Sequence, residues 1–124
     1  GMTDWKSEGL PEERVPQITV HDLATMLDER AELVVVDVRE PSEWDEGHIA
    51  GAINLPMGQA VERMRELPAD RPKAVLCAGG LRSSSAISAL LRAGMSGWYN
   101  VAGGMREWTK AGYPAITGRR KHGA

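Results

Sequence analysis

Residues 74–83 read Ala74-Val75-Leu76-Cys77-Ala78-Gly79-Gly80-Leu81-Arg82-Ser83. A short apolar strand leads into a thiol and a turn with two adjacent glycines, and a helical pattern then runs from Ser84 to Leu91. Free N–H groups and the positive end of the following helix dipole favour thiolate over thiol in such a turn. The glycines permit positive φ and inward-facing amides, and Arg82 adds a fixed positive charge. The segment therefore indicates a cradle for a sulfur nucleophile and an anionic substrate, although many lone cysteines are simply small buried hydrophobes.

Strands and helices alternate on both sides of this segment. The predicted strands are Leu33–Val38, Ala52–Leu55, Ala74–Leu76 and Trp98–Val101. The predicted helices start after the capping-box pair Thr19 and Asp22, at Pro41, at Gln59 (ending at Leu67), at Ser84 (ending near Gly94) and after Gly103-Gly104. Unbroken apolar runs such as Leu33–Val38 are typical of strands covered on both faces, so we predict an α/β domain with a mainly parallel sheet. Ligands bind such sheets at the carboxyl ends of the strands, where Cys77 lies.

Length and composition predict one ordinary soluble domain. The chain has 124 residues, of which 42% are hydrophobic and 26% charged. The net charge of −2 gives no case for nucleic-acid binding, and no apolar run approaches the length of a membrane span. We expect a flexible lead-in with a tag remnant over residues 1–14, a domain over 15–118 and a basic tail over 119–124.

The single cysteine limits the chemistry further. One thiol excludes an internal disulfide, and no Cys/His spacing suggests a metal site, so we expect neither a metal nor a cofactor. A lone reactive thiol survives best in a reducing compartment, and residues 1–14 lack the apolar core of a signal peptide. We therefore expect a cytoplasmic protein; its oligomeric state is left open.

Three blocks of the chain resemble the rhodanese-like domain family in order and spacing. The first runs from Val36 to Trp44 and continues through Gly47 to Pro56. The second is the Cys77 to Ser83 segment, and the third runs from Asn100 to Trp108 and closes with Gly112-Tyr113-Pro114. The resemblance covers roughly Val15 to Gly118.

This resemblance implies a rhodanese-like five-stranded sheet flanked by helices on both faces, and a single-domain sulfurtransferase. It places the catalytic nucleophile at Cys77 and the substrate-binding loop at Ala78, Gly79, Gly80, Leu81 and Arg82, followed by Ser83. Such enzymes take a sulfane sulfur from thiosulfate or another persulfide donor, hold it as a cysteine persulfide and pass it to cyanide or a thiol. The implied partners are a small-molecule donor and acceptor, with a protein acceptor as a further option.

Loop length separates sulfur transfer from phosphate hydrolysis. Cysteine phosphatases with a similar fold use Cys-x5-Arg, whereas four residues separate Cys77 from Arg82 here. A smaller ring suits one sulfur atom better than a tetrahedral phosphate. The ring carries no other cation of its own, which predicts a nearly neutral rim, weak thiosulfate binding and a different persulfide as the natural donor.

Four other residues have alternative roles. Ser83 either donates its hydroxyl to the bound anion or caps the helix. Asp37 and Arg39 are candidates for supporting the loop from the next strand. We favour a structural role for Asp37, as acceptor of nearby backbone N–H groups, and an ion pair between Arg39 and Glu43.

Two classes of function remain open. The first is an enzyme that cycles sulfur through Cys77, with Arg82 holding the leaving sulfite or the incoming anion. The second is a non-catalytic persulfide carrier or interaction module that serves one protein partner. Both classes need the same loop, so the sequence does not separate them.

Overall fold

Five parallel strands form the centre of the computed structural model, which describes residues 15–118. The strands are β1 (Gln17–Ile18), β2 (Val34–Asp37), β3 (Ile53–Asn54), β4 (Lys73–Leu76) and β5 (Trp98–Val101). Their order across the sheet is β1-β5-β4-β2-β3, and each neighbouring pair is parallel. The predicted lead-in and tail, residues 1–14 and 119–124, lie outside the described residues.

Five helices connect these strands. They are α1 (Val20–Glu29), α2 (Pro41–Glu46), α3 (Met57–Met64), α4 (Leu81–Arg92) and α5 (Gly104–Lys110). The predicted capping box forms at α1, where Thr19 Oγ1 accepts from Asp22 N and Asp22 Oδ2 accepts from Thr19 N. Pro41 occupies the first turn of α2, as predicted. None of the helices within residues 15–118 combines the length and apolar character that a membrane crossing requires.

The helices cover both faces of the sheet. Successive strand residues point to opposite faces, so Val34 and Val36 pack with α3 and α4, whereas Val35 packs with α1 and α5. The sheet is therefore buried on both sides, which explains why β2 and β4 are buried throughout. This confirms the predicted α/β fold with a five-stranded sheet and flanking helices.

One helix boundary near the thiol and one strand differ from the sequence predictions. Helix α4 begins at Leu81 rather than Ser84, because Gly80 takes the N-cap position with φ +108° and the first turn starts directly after it. Strand β1 was not predicted, since two residues are too short to show a period. Its pairing with β5 supplies the fifth strand.

Candidate active site

The Cys77 sulfur lies in the turn between β4 and α4 and accepts backbone N–H groups. The side chain is 1% exposed. Its Sγ accepts from Gly80 N at 3.0 Å and from Ser83 N at 3.4 Å, and the Ser83 hydroxyl lies 3.4 Å away. Two of the predicted loop residues, Gly80 and Ser83, thus contact the sulfur atom, whereas the Leu81 side chain is 83% exposed.

These contacts act on the proton affinity of the thiol. Burial by itself raises the pKa of Cys77, because a thiolate loses solvation. The hydroxyl and N–H of Ser83 and the N–H groups of Gly80 and Gly79 lower it, since they stabilise the anion. The balance holds the pKa of Cys77 below its ordinary value. The site therefore favours a nucleophilic thiolate without a neighbouring histidine.

Helix α5 orients the peptide groups of the loop. Met105 N donates to Cys77 O at 2.9 Å, and Arg106 N donates to Ala78 O at 3.0 Å. The C=O and N–H of a trans peptide point in opposite directions, so a carbonyl directed at α5 turns the N–H of the next residue away from that helix. The Ala78 carbonyl in this way directs Gly79 N–H towards the thiol, where it helps to lower the pKa of Cys77.

Gly104 makes this close approach of α5 sterically feasible. Its φ is +53°, and a methyl group at this position would overlap the Cys77 carbonyl oxygen and come within 2.8 Å of the Ala78 carbonyl oxygen. The sequence predicts a helix that starts after Gly103-Gly104. The structure adds that Gly104 lies directly against the loop.

Ser83 belongs to a buried polar chain. Its hydroxyl donates to Asn100 Oδ1, and Asn100 Nδ2 donates to Gln17 Oε1 at 2.9 Å. Ser83 lies within α4 and is fully buried, and the N-cap is Gly80, so the capping role considered for Ser83 is wrong. Its hydroxyl instead connects Cys77 to β5.

Asp37 and Arg39 form a buried ion pair at the carboxyl end of β2. Arg39 Nη2 lies 2.9 Å from Asp37 Oδ2, and Asp37 Oδ1 also accepts from Arg39 N at 3.0 Å. The preferred structural role of Asp37 agrees with this contact. The expected pair between Arg39 and Glu43 is wrong, because residues two apart on an extended chain share a face and Asp37 is nearer. Arg39 Nη1 donates to the backbone carbonyl of Glu43, at 3.2 Å, and not to its carboxylate.

Glu43 pairs with Arg82 instead. Arg82 Nη1 and Nη2 donate to the two Glu43 carboxylate oxygens, each at 2.9 Å. The hydrogen bonds from Arg82 lower the pKa of Glu43 to about 2. The same pairing raises the pKa of Arg82 above its ordinary value. The positive charge of Arg82, which the sequence predicts to hold the substrate anion, is thus paired with the carboxylate of Glu43 on α2.

Arg106 was not predicted from the sequence as a site residue. It lies in the first turn of α5 and is exposed. A methyl group on Gly79 would come within 2.6 Å of Arg106 Nη1, so the guanidinium lies against the loop. Arg106 also lines a cleft of about 340 Å³, together with Ala78 and Glu43. The sequence analysis predicted a nearly neutral rim from the loop residues alone. That prediction is wrong, because α5 places the positively charged Arg106 against the loop.

Known proteins are similar in sequence to this chain. A family model described as a rhodanese-like domain matches residues 19–111. A protein named thiosulfate sulfurtransferase GlpE from Pseudomonas putida is 40% identical over 84 residues, which cover 68% of this chain and 76% of GlpE. A protein named sulfurtransferase from Allochromatium vinosum is 33% identical, with 82% of this chain and 95% of that protein covered.

Some curated relatives are longer than the chain. A putative sulfur carrier protein, YrkF from Bacillus subtilis, is 32% identical over 95 residues, and the match covers 77% of this chain and 51% of YrkF. The chain spans 59% and 25% of the lengths of two other relatives. The match therefore describes a domain that also occurs within larger proteins.

A solved structure shares the fold. The crystal structure of a rhodanese-related protein from Thermoplasma volcanium superposes with a TM-score of 0.73 at 36% identity, covering 82% of this chain and 97% of that one. The family match spans most of the chain, and the superposition with this solved structure agrees with the fold described above. The chain belongs to the rhodanese-like domain family.

Proposed function

We propose that the protein is a sulfurtransferase that moves a sulfane sulfur through a persulfide on Cys77. The observation that carries this proposal is the buried sulfur that accepts the Gly80 and Ser83 backbone N–H groups. A ring of N–H groups stabilises negative charge on sulfur without supplying a proton-transfer group. Relatives named as sulfurtransferases support the same assignment.

The proposed reaction has two steps. In the first, the Cys77 thiolate attacks the outer sulfur of thiosulfate or another persulfide donor and a new S–S bond forms. With thiosulfate, the bond between the two sulfur atoms of the donor breaks, and sulfite leaves with the electron pair. In the second, cyanide or a thiol attacks the outer sulfur of the persulfide, and Cys77 leaves as a thiolate. No external oxidant or reductant is consumed.

The loop supports each step in the same way. Gly79, Gly80 and Ser83 present N–H groups to the sulfur, which stabilises first the thiolate and then the persulfide anion. Four residues separate Cys77 from Arg82, and this short ring favours sulfur over phosphate as the bound group.

We assign the domain to residues 15–118, and we keep the cytoplasm as the proposed compartment because a lone reactive thiol needs reducing conditions.

A second candidate is a persulfide carrier that serves one protein partner. The relative named as a putative sulfur carrier favours it. A carrier needs the same thiolate cradle but releases its sulfur once and then waits for its partner. Turnover with excess thiosulfate and cyanide distinguishes the two: many thiocyanate molecules per Cys77 identify an enzyme, and a single one identifies a carrier.

The first experiment measures the intact mass of the protein after thiosulfate, and again after cyanide, beside the Cys77→Ala variant. We expect the parent protein to gain one sulfur atom and to lose it to cyanide. The variant should gain none, while its circular dichroism and melting temperature stay close to those of the parent. Sulfur loading of the alanine variant would overturn the assignment.

A further inference from the structure

The two arginines at the loop differ in how their charge is matched. Arg82 gives both terminal nitrogens to the Glu43 carboxylate, so an incoming anion must compete with that carboxylate. Arg106 has no such partner: within residues 15–118, no carboxylate lies at ion-pair distance from its guanidinium. The rim of the loop therefore has one neutralised cation and one uncompensated cation.

The fold fixes where the uncompensated cation lies. Arg106 N is bonded to the Ala78 carbonyl, which ties the start of the side chain to the loop. Its Nη1 lies so close to Gly79 that even a methyl group there would clash at 2.6 Å. The N–H of Gly79 faces the Cys77 sulfur. The Arg106 guanidinium therefore lies beside a residue that contacts the sulfur atom, which the donor must reach.

We propose that Arg106 determines donor specificity by binding the oxyanion adjacent to the transferred sulfur, as in the sulfonate of thiosulfate. This inference rests on the proposed function. The sulfane sulfur must meet Cys77 Sγ inside the ring, and an S–S bond is only about 2 Å long, so the sulfonate remains at the rim. Arg106 supplies a charge-assisted donor there, whereas Arg82 is engaged with Glu43.

Arg106 also favours departure of the product. As the donor S–S bond breaks, negative charge moves onto the leaving sulfite, and a fixed guanidinium stabilises that charge more than it stabilises the donor. The carboxylates of Glu43 and Glu46 line the same cleft and act in the opposite direction on anions. Selectivity among donors thus depends on the balance of these charges at the rim.

The test compares two donors that differ by one negative charge. Thiosulfate is a dianion, and methanethiosulfonate is a monoanion that transfers its sulfur with release of methanesulfinate. The rate of Cys77 loading is measured by intact mass for the parent and for Arg106→Gln, Arg106→Lys and Arg82→Gln. Arg63→Gln is the charge-matched control, because Arg63 lies on α3 and its guanidinium bonds only Gln59 Oε1 among described partners.

We expect Arg106→Gln to lower thiosulfate loading by about tenfold or more, the effect of losing one hydrogen bond to a charged group. Methanethiosulfonate loading should fall by a clearly smaller factor, Arg106→Lys should recover part of the loss, and Arg63→Gln should match the parent. Equal losses with both donors, or losses no larger than those of Arg63→Gln, would overturn the inference and leave the proposed function standing. A parent protein that is loaded neither by these two donors nor by an organic persulfide such as glutathione persulfide would overturn the proposed function itself, and this inference with it.

Discussion

Ser83 has one hydroxyl proton and two neighbours that can accept it. In the structure the Ser83 hydroxyl donates to Asn100 Oδ1, and Cys77 Sγ lies 3.4 Å from Ser83 Oγ. When Cys77 is a thiol, its S–H can donate to Ser83 Oγ. When it is a thiolate, the hydroxyl proton is the nearest side-chain donor, and a hydrogen bond to the charged form lowers the pKa. Ser83 therefore acts on the protonation state of Cys77.

Replacement of Ser83 by alanine should raise the pKa of Cys77. The thiolate is the reactive form, so the rate of alkylation by iodoacetamide rises as the pH passes upward through this pKa. We expect the midpoint to move to higher pH in Ser83→Ala, and the rate at pH 7 to fall by about two- to tenfold, the effect of losing one hydrogen bond. Ser88→Ala, which removes another buried hydroxyl of α4, is the control. An unchanged midpoint in Ser83→Ala would exclude this role.

Glu43 gives a second pH-dependent prediction. Its carboxylate, paired with Arg82, has a pKa of about 2, below the ordinary 4.5. A carboxylate whose folded-state pKa is lowered stabilises the fold above its unfolded-state pKa, and that contribution is lost as the pH falls towards 2. Both side chains are about one-third exposed, so the contribution is under about 1 kcal/mol.

Urea unfolding of Glu43→Gln should show this difference. The variant should be less stable than the parent at pH 6, and the two free energies of unfolding should converge as the pH falls from 4.5 towards 2. Glu32→Gln is the matched control, because Glu32 pairs with Arg30 at 3.5 Å in a more exposed position. A constant difference between parent and Glu43→Gln across this pH range would contradict the ion-pair explanation.

The residues differ in how far their roles can be predicted from sequence. Cys77 and the loop are predictable because one local turn contains the thiol, the glycines and the helix start. The Arg82–Glu43 pair joins residues 39 apart, and its formation depends on how α2 packs against the loop. Arg106 reaches Gly79 only through the packing of α5. Local patterns therefore predict the thiol and its turn but not the charges around them.

At the scale of elements, α5 holds the loop through its first turn. Two of its backbone N–H groups donate to the Cys77 and Ala78 carbonyls, and Gly104 provides the space for this contact. A short helix far along the chain thus fixes the amides that act on the thiol. This role has no periodic sequence signal, because it depends on one glycine and not on an apolar face.

A methyl group at residue 104 should separate α5 from the loop. Gly104→Ala places it against the Cys77 and Ala78 carbonyl oxygens. We expect sulfur loading to fall by about tenfold or more, as loss of an oriented N–H donor implies, and the pKa of Cys77 to rise. Loading is read by intact mass, and the pKa by alkylation against pH.

Gly112→Ala is the control for backbone strain. Gly112 has φ +87° and open space around its Cα, so this variant shares the cost of positive φ without the overlap. Both variants should melt at lower temperature than the parent. Equal loading in the two variants would show that strain, and not the position of the loop, is responsible.

Over the whole molecule, the sheet separates two apolar layers that contribute independently to stability. Leu23 of α1 lies on one side and Leu90 of α4 on the other, and both are fully buried. Leu23→Ala and Leu90→Ala should each lower the free energy of unfolding by about 2–5 kcal/mol, through lost burial and a residual cavity. Residues on opposite sides share no contacts, so the double variant should show nearly additive losses.

Urea unfolding measures these losses, and Leu27→Ala is the control because Leu27 shares α1 with Leu23 but is 36% exposed. It should cost well under half as much as Leu23→Ala. A strongly non-additive double variant would mean that the two layers are coupled through the sheet.

The order in which elements are synthesised has a consequence for the thiol. Cys77 leaves the ribosome before β5 and α5, yet β5 carries Asn100 and α5 donates to the loop carbonyls. Domains complete their folding only when their last elements emerge. A nascent chain that ends before residue 104 therefore carries a sulfur without its oriented amides, and its reactivity is that of an ordinary cysteine. The lowered pKa of Cys77 therefore arises only when the fold is complete.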